Sequence, residues 1–287
     1  MTLERLIREL KFTPETEEQT VREIYRNPEK IKKLAETAYE GENFQFLLCK
    51  ALPLERLAAV VWLLRSAYDR YQAKKIPDTI IFDTFRDVSL RAGLYCQRTG
   101  QCGISAEDVI WFRHIRNAGI FKIGVLQFQR FEMLYPESLG EDVVTFQNGI
   151  KEELPEGTPV INIHIQKGTD LQESRVETSL ENAAEFFQHY FPESDYRAFL
   201  CCSWLLYPPM TKCLPPDSRI RKFADRFTII GTSTYREQAT ENLYAENGKK
   251  GQTEKRTFLQ KLAVSEPEKF GFALGLWTDR ERKEENV

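Results

Sequence analysis

Histidine occurs only three times in 287 residues, at positions 114, 164 and 189, and the six cysteines form no CxxC pair. That scarcity argues against a structural zinc framework and a disulfide scaffold, so no metal is expected. Cys49, Cys96, Cys102, Cys201, Cys202 and Cys213 read as reduced thiols of a cytoplasmic protein, and Cys201 and Cys202 as candidates for a thiol-reactivity test. Neither GxSxG nor GxxxxGK[ST] occurs, which removes the usual serine-hydrolase elbow and the full phosphate-binding loop. There is no basic excess either: 40 Lys and Arg stand against 43 Asp and Glu, a net charge of −3. Nucleic acid and anionic membrane are therefore not expected partners. No window reaches the length of a membrane span, and the opening MTLERLIREL carries charges through its apolar positions, unlike a signal peptide. Internal repeats and low-complexity tracts are missing as well. What is present, 41% hydrophobic, 12% aromatic and 29% charged residues, describes a globular chain able to bury a sizeable core.

The pattern changes at Gly119, and the expected division is a helical domain over 1–119 and a second domain over 120–287. Before Gly119 the spacing predicts helices only, roughly half a dozen. Asn27 and Pro28 open one that Gly41 closes. Leu54, Leu57, Val61, Leu64, Tyr68 and Tyr71 recur at three- and four-residue steps, the stripe of a central bundle helix. Another follows Pro77, and Ser105 with Asp108 three residues on is a capping-box start for the last. After Gly119, IFKIGVLQFQRFEML, VVTFQNG and TPVINIHI are β-branched or aromatic runs separated by turn residues. A helix over 174–190, a strand in YRAFLCCSWLL, a helix in DSRIRKFADRF, a strand in FTIIGTSTY, further helices in REQATENLYAEN and KRTFLQKLAV, and a closing strand in FGFALGLW complete the order. The fold class expected is α+β: a helical N-terminal bundle, then a mixed sheet covered by helices. AENGKKGQTEKR, residues 245–256, is polar and Gly-containing and reads as a mobile loop.

Within VINIHI, Val160, Asn162 and His164 alternate with Ile161, Ile163 and Ile165, as on a strand with one partly polar face. Gln166, Lys167, Gly168 and Thr169 then make a tight turn, and Val176, Leu180, Ala183, Phe187 and Phe191 form the stripe of the following helix. A strand, a glycine turn and a helix N-terminus together aim backbone N–H groups and the positive end of a helix dipole at one point, where an anion is favoured. Every strand-to-helix connection has such a turn, so an ordinary connection is the competing reading.

A resemblance bears on that choice. His164, Gly168, Leu171, Val176, Ser179-Leu180, Ala184, Phe186-Phe187 and Phe191-Pro192 resemble the corresponding run in bacterial two-domain acyltransferase-like proteins. So do Cys202-Ser203-Trp204-Leu205-Leu206, Leu214-Pro215, Ser218, Ile220, Phe223 and Phe227, with GVLQFQRFE and FGFALGLW. That family pairs a helical N-acyltransferase N-terminal domain with a GNAT-like C-terminal domain. The resemblance implies acyl transfer from acyl-CoA or acetyl-CoA, as co-substrate, to a small-molecule or peptide amine. It also implies that Gln166, Lys167, Gly168 and Thr169 line a pyrophosphate loop, with Ser203 and Trp204 near the thioester. The GNAT signature [QR]xxGx[GA] is not met, because Gln166 stands two residues before Gly168 and Thr169, not a second glycine, follows it.

Such chemistry needs a base for the attacking amine and a proton donor for the leaving thiolate. His164 and Glu132 are the candidate bases; the alternatives are a hydrogen-bonded histidine on a half-buried strand and a solvated strand-end carboxylate. Ser203 and Tyr207 are the candidate donors at the end of their strand, although Tyr207 can simply pack on Pro208 and Pro209. Trp204 reads as a pocket wall or core residue. Arg219, Arg221, Lys222 and Arg226 either meet the adenosine phosphate, with Arg221 the residue singled out, or form a solvated helix face. Gln127 and Gln129 share one face and either read the acceptor or are hydrogen-bonded edge positions. A GNAT-shaped module that binds a CoA metabolite or a protein partner without turnover remains the alternative function.

Overall fold

The computed structural model describes residues 1–135, 144–244 and 256–277, and the chain divides into two compact units, Met1–Lys122 and Ile123–Val287. The polar stretch 245–255 lies outside the described residues.

The first unit carries α1 (Leu3–Leu10), α2 (Pro14–Arg26), α3 (Pro28–Glu36), α4 (Pro53–Ala73), α5 (Asp78–Thr99) and α6 (Ala106–Arg116). Their starts follow from side chains that satisfy first-turn amides: Thr2 accepts from the Arg5 N–H, Thr13 from that of Thr16, and Ser105 and Asp108 cap each other reciprocally. α4 is the central helix, packed on α1, α2, α3, α5 and α6 and burying Leu57, Val61, Leu64 and Tyr71. One buried carboxylate, Asp87, accepts from Trp111 Nε1 at 2.6 Å and from Arg91 Nε at 3.2 Å. On α6, burial and the neighbouring Arg113 charge push His114 down to about 4. A histidine depressed in the fold binds protons more readily when unfolded. Its contribution to stability is therefore complete above the ordinary value of 6.5 and is lost as pH falls toward 4. Discounted for partial exposure, the loss is about 1–2 kcal/mol. Urea unfolding at pH 7 and pH 4.5 is expected to show that much less acid sensitivity in His114→Gln than in the natural protein.

The second unit is built on a seven-stranded mixed sheet of order β1-β2-β4-β5-β7-β6-β3. Its strands are β1 (Ile120–Ile123, in which the unit boundary falls), β2 (Leu126–Glu132), β3 (Thr145–Phe146), β4 (Pro159–His164), β5 (Phe199–Ser203), β6 (Thr228–Ser233) and β7 (Phe272–Trp277). The helices are α7 (Ile150–Glu153), α8 (Glu173–Tyr190), α9 (Pro208–Thr211), α10 (Arg219–Ala224), α11 (Glu237–Tyr244) and α12 (Phe258–Ser265). The fold is α+β, a helical region followed by a mixed sheet. No helix among the described residues is long and apolar enough to cross a membrane.

Two expectations are corrected. IFKIGVLQFQRFE is not one long strand but two, because Gly124 takes φ +60 and turns the chain. The buried hydroxyl of Ser179 on α8 stitches that turn, donating to the Ile123 carbonyl and accepting the Leu126 N–H at 3.2 Å. Ser179→Ala strands both backbone groups in the interior and is expected to cost about 2 kcal/mol in urea unfolding. SWLL, read as strand, ends it instead: Ser203 Oγ accepts the Leu205 N–H, and residues 204–206 form a 3-10 turn.

One face of the sheet is covered by α8, where Phe187 meets Phe199 and Phe199 meets Phe128. The other carries a core of Met133, Tyr135, Ile150, Leu154, Val160, Leu200, Ile230, Leu274 and Leu276. That second core leaves the upper ends of β2 and β4 to polar side chains.

Candidate active site

β4 and β5 are parallel, and their register comprises Ile161↔Phe199 and Asn162↔Leu200. Beyond it, β4 runs on through Ile163 and His164 while β5 stays paired with β7 as far as Ser203↔Ala273. The parallel pairing thus stops before either strand does, and two neighbouring parallel strands left unpaired toward their C-terminal ends make a wedge in the sheet.

The turn after β4 sits at the mouth of this wedge. The Gln166 carbonyl accepts the Thr169 N–H at 3.1 Å and the Thr169 hydroxyl at 2.6 Å, with Gly168 at φ +77 in the third turn position. That is the geometry of a type II turn, which wants glycine there. A Cβ on Gly168 would meet nothing within 4 Å, so the position opens outward. Asp170 Oδ1 accepts the Gln172 N–H at 3.1 Å, and Gln172, the residue before α8, makes no side-chain cap to the helix. The first-turn amides of an 18-residue helix thus end beside the turn.

Cations gather there. Arg219 holds Asp170 at 2.8 Å and Arg175 holds it at 3.4 Å; Lys222 and Arg226 hold Glu173 at 3.1 and 3.5 Å. With Glu177 near Arg226, four basic groups face three carboxylates, and Lys167 stands in the turn sequence itself. These exposed pairs are individually weak and are exchanged at little cost for a multiply charged ligand. Arg221, the residue singled out in this stretch, turns elsewhere: its guanidinium donates to the Leu214 carbonyl at 3.0 Å.

The register of β2 and β4 sets Gln127 opposite His164 and Gln129 opposite Asn162, so all four side chains lie on the face away from α8. His164 Nε2 and Gln129 Oε1 are 2.7 Å apart; the carbonyl oxygen can only accept, so the ring carries a proton on Nε2 and Nδ1 is the nitrogen left for proton transfer when the ring is neutral. Gln127 and Gln129 are 1% and 5% exposed, buried positions of an inner strand and not edge residues.

The chain matches the family described as GNAT-like C-terminal domain over residues 120–271, and that described as N-acyltransferase N-terminal domain over residues 1–117. The chain belongs to the GNAT-like C-terminal domain family. No curated protein matches it. Among solved structures it is similar to an acyltransferase in complex with decanoyl-CoA and teicoplanin, and to one in complex with CoA and 10C-teicoplanin. In the first the TM-score is 0.71 at 17% identity, covering 96% of this chain and 86% of that chain. In the second the TM-score is again 0.71 at 17% identity, covering 96% and 87%. An acyltransferase in complex with decanoyl-CoA gives 0.69 at 19% identity, covering 96% and 86%. At such identities the likeness is one of fold.

Within this GNAT-like domain the structure brings His164, Gln127 and Gln129 together and keeps other named residues apart. Glu132 pairs with Pro159, five residues along β2 from the Gln127–His164 pair, or about 17 Å, and is exposed. Ser203 alternates to the α8 face, opposite His164, and its hydroxyl is engaged in the 3-10 turn. Tyr207 is buried with Met210, Leu214 and Phe270, its ring against Gly271. Trp204 packs against the same cluster, near Phe270, and its backbone N–H donates to Gln238 Oε1 at 2.7 Å. The exposed Cys202 shares the His164 face, two residues past the last β4–β5 pair, whereas Cys201 is buried and its thiol pushed up. Asn162 is the residue that sequence reasoning passed over. Its alternation with His164 is the signal that names it.

Proposed function

We propose that the protein is an N-acyltransferase using acyl-CoA as donor and an amine as acceptor. The observation that carries this reading is the parting of β4 and β5 beyond Asn162 and Leu200, directly beside the Gly168 turn and the start of α8. The diphosphate is received by the amides of the turn over Gln166–Thr169 and of the first turn of α8, with Lys167, Arg219 and Lys222 supplying charge. The pantetheine arm enters the wedge and takes hydrogen bonds from the strand backbones that part there. The solved acyltransferases of like fold, in complex with CoA or decanoyl-CoA and, in two cases, with teicoplanin or 10C-teicoplanin, support the donor and the class of acceptor. The non-catalytic alternative is not favoured.

The amine nitrogen attacks the thioester carbonyl, a C–N bond forms, the C–S bond breaks, and CoA leaves as thiolate. His164 accepts the proton the amine must lose, held in one tautomer by Gln129. A proton returned to the sulfur yields amide and free CoA thiol. Glu132 has no part in this, since it stands at the far end of its strand. Six unbridged cysteines agree with a reducing compartment, and we place the protein in the cytoplasm.

Calorimetric titration with acetyl-CoA and longer acyl-CoAs, together with thiol release across an amine panel, tests the reading. Saturable binding and one thiol released per amide formed are expected. No binding of any CoA ester overturns it, and binding without thiol release leaves only a binding module.

A further inference from the structure

The four polar side chains on the β2–β4 face form a two-by-two block. One diagonal, Gln129 to His164, is closed by a hydrogen bond. The other is open: Gln127 Nε2 and Asn162 Oδ1 are buried and have no hydrogen-bond partner among the described residues. A stranded donor and a stranded acceptor therefore belong to the two residues that neighbour His164 in the block, one across from it on β2 and one two positions back on β4, on a face to which these strands contribute no carboxylate. Buried polar groups without partners are rare and costly, and a ligand or a bound water that supplies the missing bonds is what keeps them in a fold.

We infer that Gln127 and Asn162 read the acceptor by a neutral group beside its amine, one that accepts from Gln127 Nε2 and donates to Asn162 Oδ1. A hydroxyl does both with a single oxygen, and a carboxamide does so with its C=O and N–H. An alkylamine does neither and leaves two polar groups dry. A carboxylate can accept but cannot donate. This inference rests on the acyltransferase reading, and it extends that reading from amines at large to amines flanked by a hydroxyl or an amide.

The test compares kcat/KM for 2-aminoethanol, glycinamide, glycine and propylamine, each corrected to the concentration of free amine. It uses the natural protein, Gln127→Met and Asn162→Leu. The natural protein is expected to favour 2-aminoethanol or glycinamide over propylamine by about tenfold to a hundredfold, the discrimination available when a site's buried polar groups are left unpaired by the wrong substrate. Which of the two leads tells hydroxyl from amide. Each variant removes one of the two bonds, so the preference falls by about threefold to tenfold in each, while midpoints of thermal unfolding hold or rise, because a buried group lacking a partner has been replaced by an apolar one of like size. An undiminished preference in both variants, a natural protein that turns over propylamine or glycine as well as the others, or variants that lose stability with the preference intact overturn the inference and leave the transferase reading standing. No thiol release with any amine overturns both.

Discussion

Gly168→Glu is expected to fold like the natural protein and to bind acyl-CoA about thirtyfold more weakly. Two effects add. The residue sits at φ +77, where an L side chain costs about 1–2 kcal/mol, so the type II turn is strained or its amides are re-aimed. The new carboxylate also stands at the point where the diphosphate is received. Two like charges about 5 Å apart in a partly solvated site repel by about 1–3 kcal/mol, and the carboxylate competes for the cations that Lys167, Arg219 and Lys222 supply. A Cβ there meets nothing within 4 Å, so no packing is lost and the cost to folding is limited to the backbone strain. Gly168→Ala separates the terms: it carries only the backbone cost and is expected to weaken binding a few-fold. Calorimetric titration of the three proteins with one acyl-CoA gives the comparison, and circular dichroism checks the fold. Unchanged affinity in Gly168→Glu removes the turn from the donor site.

How much of this site was legible in the sequence depends on the range of the interaction that forms each part. The Gly168 turn and the start of α8 are made by neighbours in the chain, and so is the Ser105–Asp108 cap; periodicity and turn chemistry reach them directly. The break between β1 and β2 is not of that kind, since Ser179 from α8 completes the Gly124 turn. SWLL reads as strand because an apolar run does not reveal its period, and only the Ser203 hydroxyl on the Leu205 amide shows that the strand has ended. Arg219 and Lys222 lie three apart on one helical face, which spacing foretells; that this face and not Arg221 meets the start of α8 is a matter of packing. The parting of β4 and β5 and the Gln127–Asn162 diagonal are facts of register, and register is set between strands distant in the chain.

Register also shapes the second large effect. His164→Ala is expected to lower kcat by about a hundredfold to ten-thousandfold, the range that general-base catalysis supplies, with acyl-CoA affinity within about twofold of the natural value. The affinity is spared because the diphosphate contacts lie beyond His164, in the turn and on α8. A structural role for the ring would move both quantities together. Gln129→Glu tests the assignment from the other side. A carboxylate 2.7 Å from Nε2 would favour the imidazolium and raise the pKa of His164 by about 1–2 units. A base must be neutral to accept a proton, so activity falls as pH drops through its pKa, and raising that pKa moves the acid limb of the kcat/KM profile to higher pH by the same amount. An acid limb that stays in place in Gln129→Glu, or full turnover in His164→Ala, assigns the base to another group.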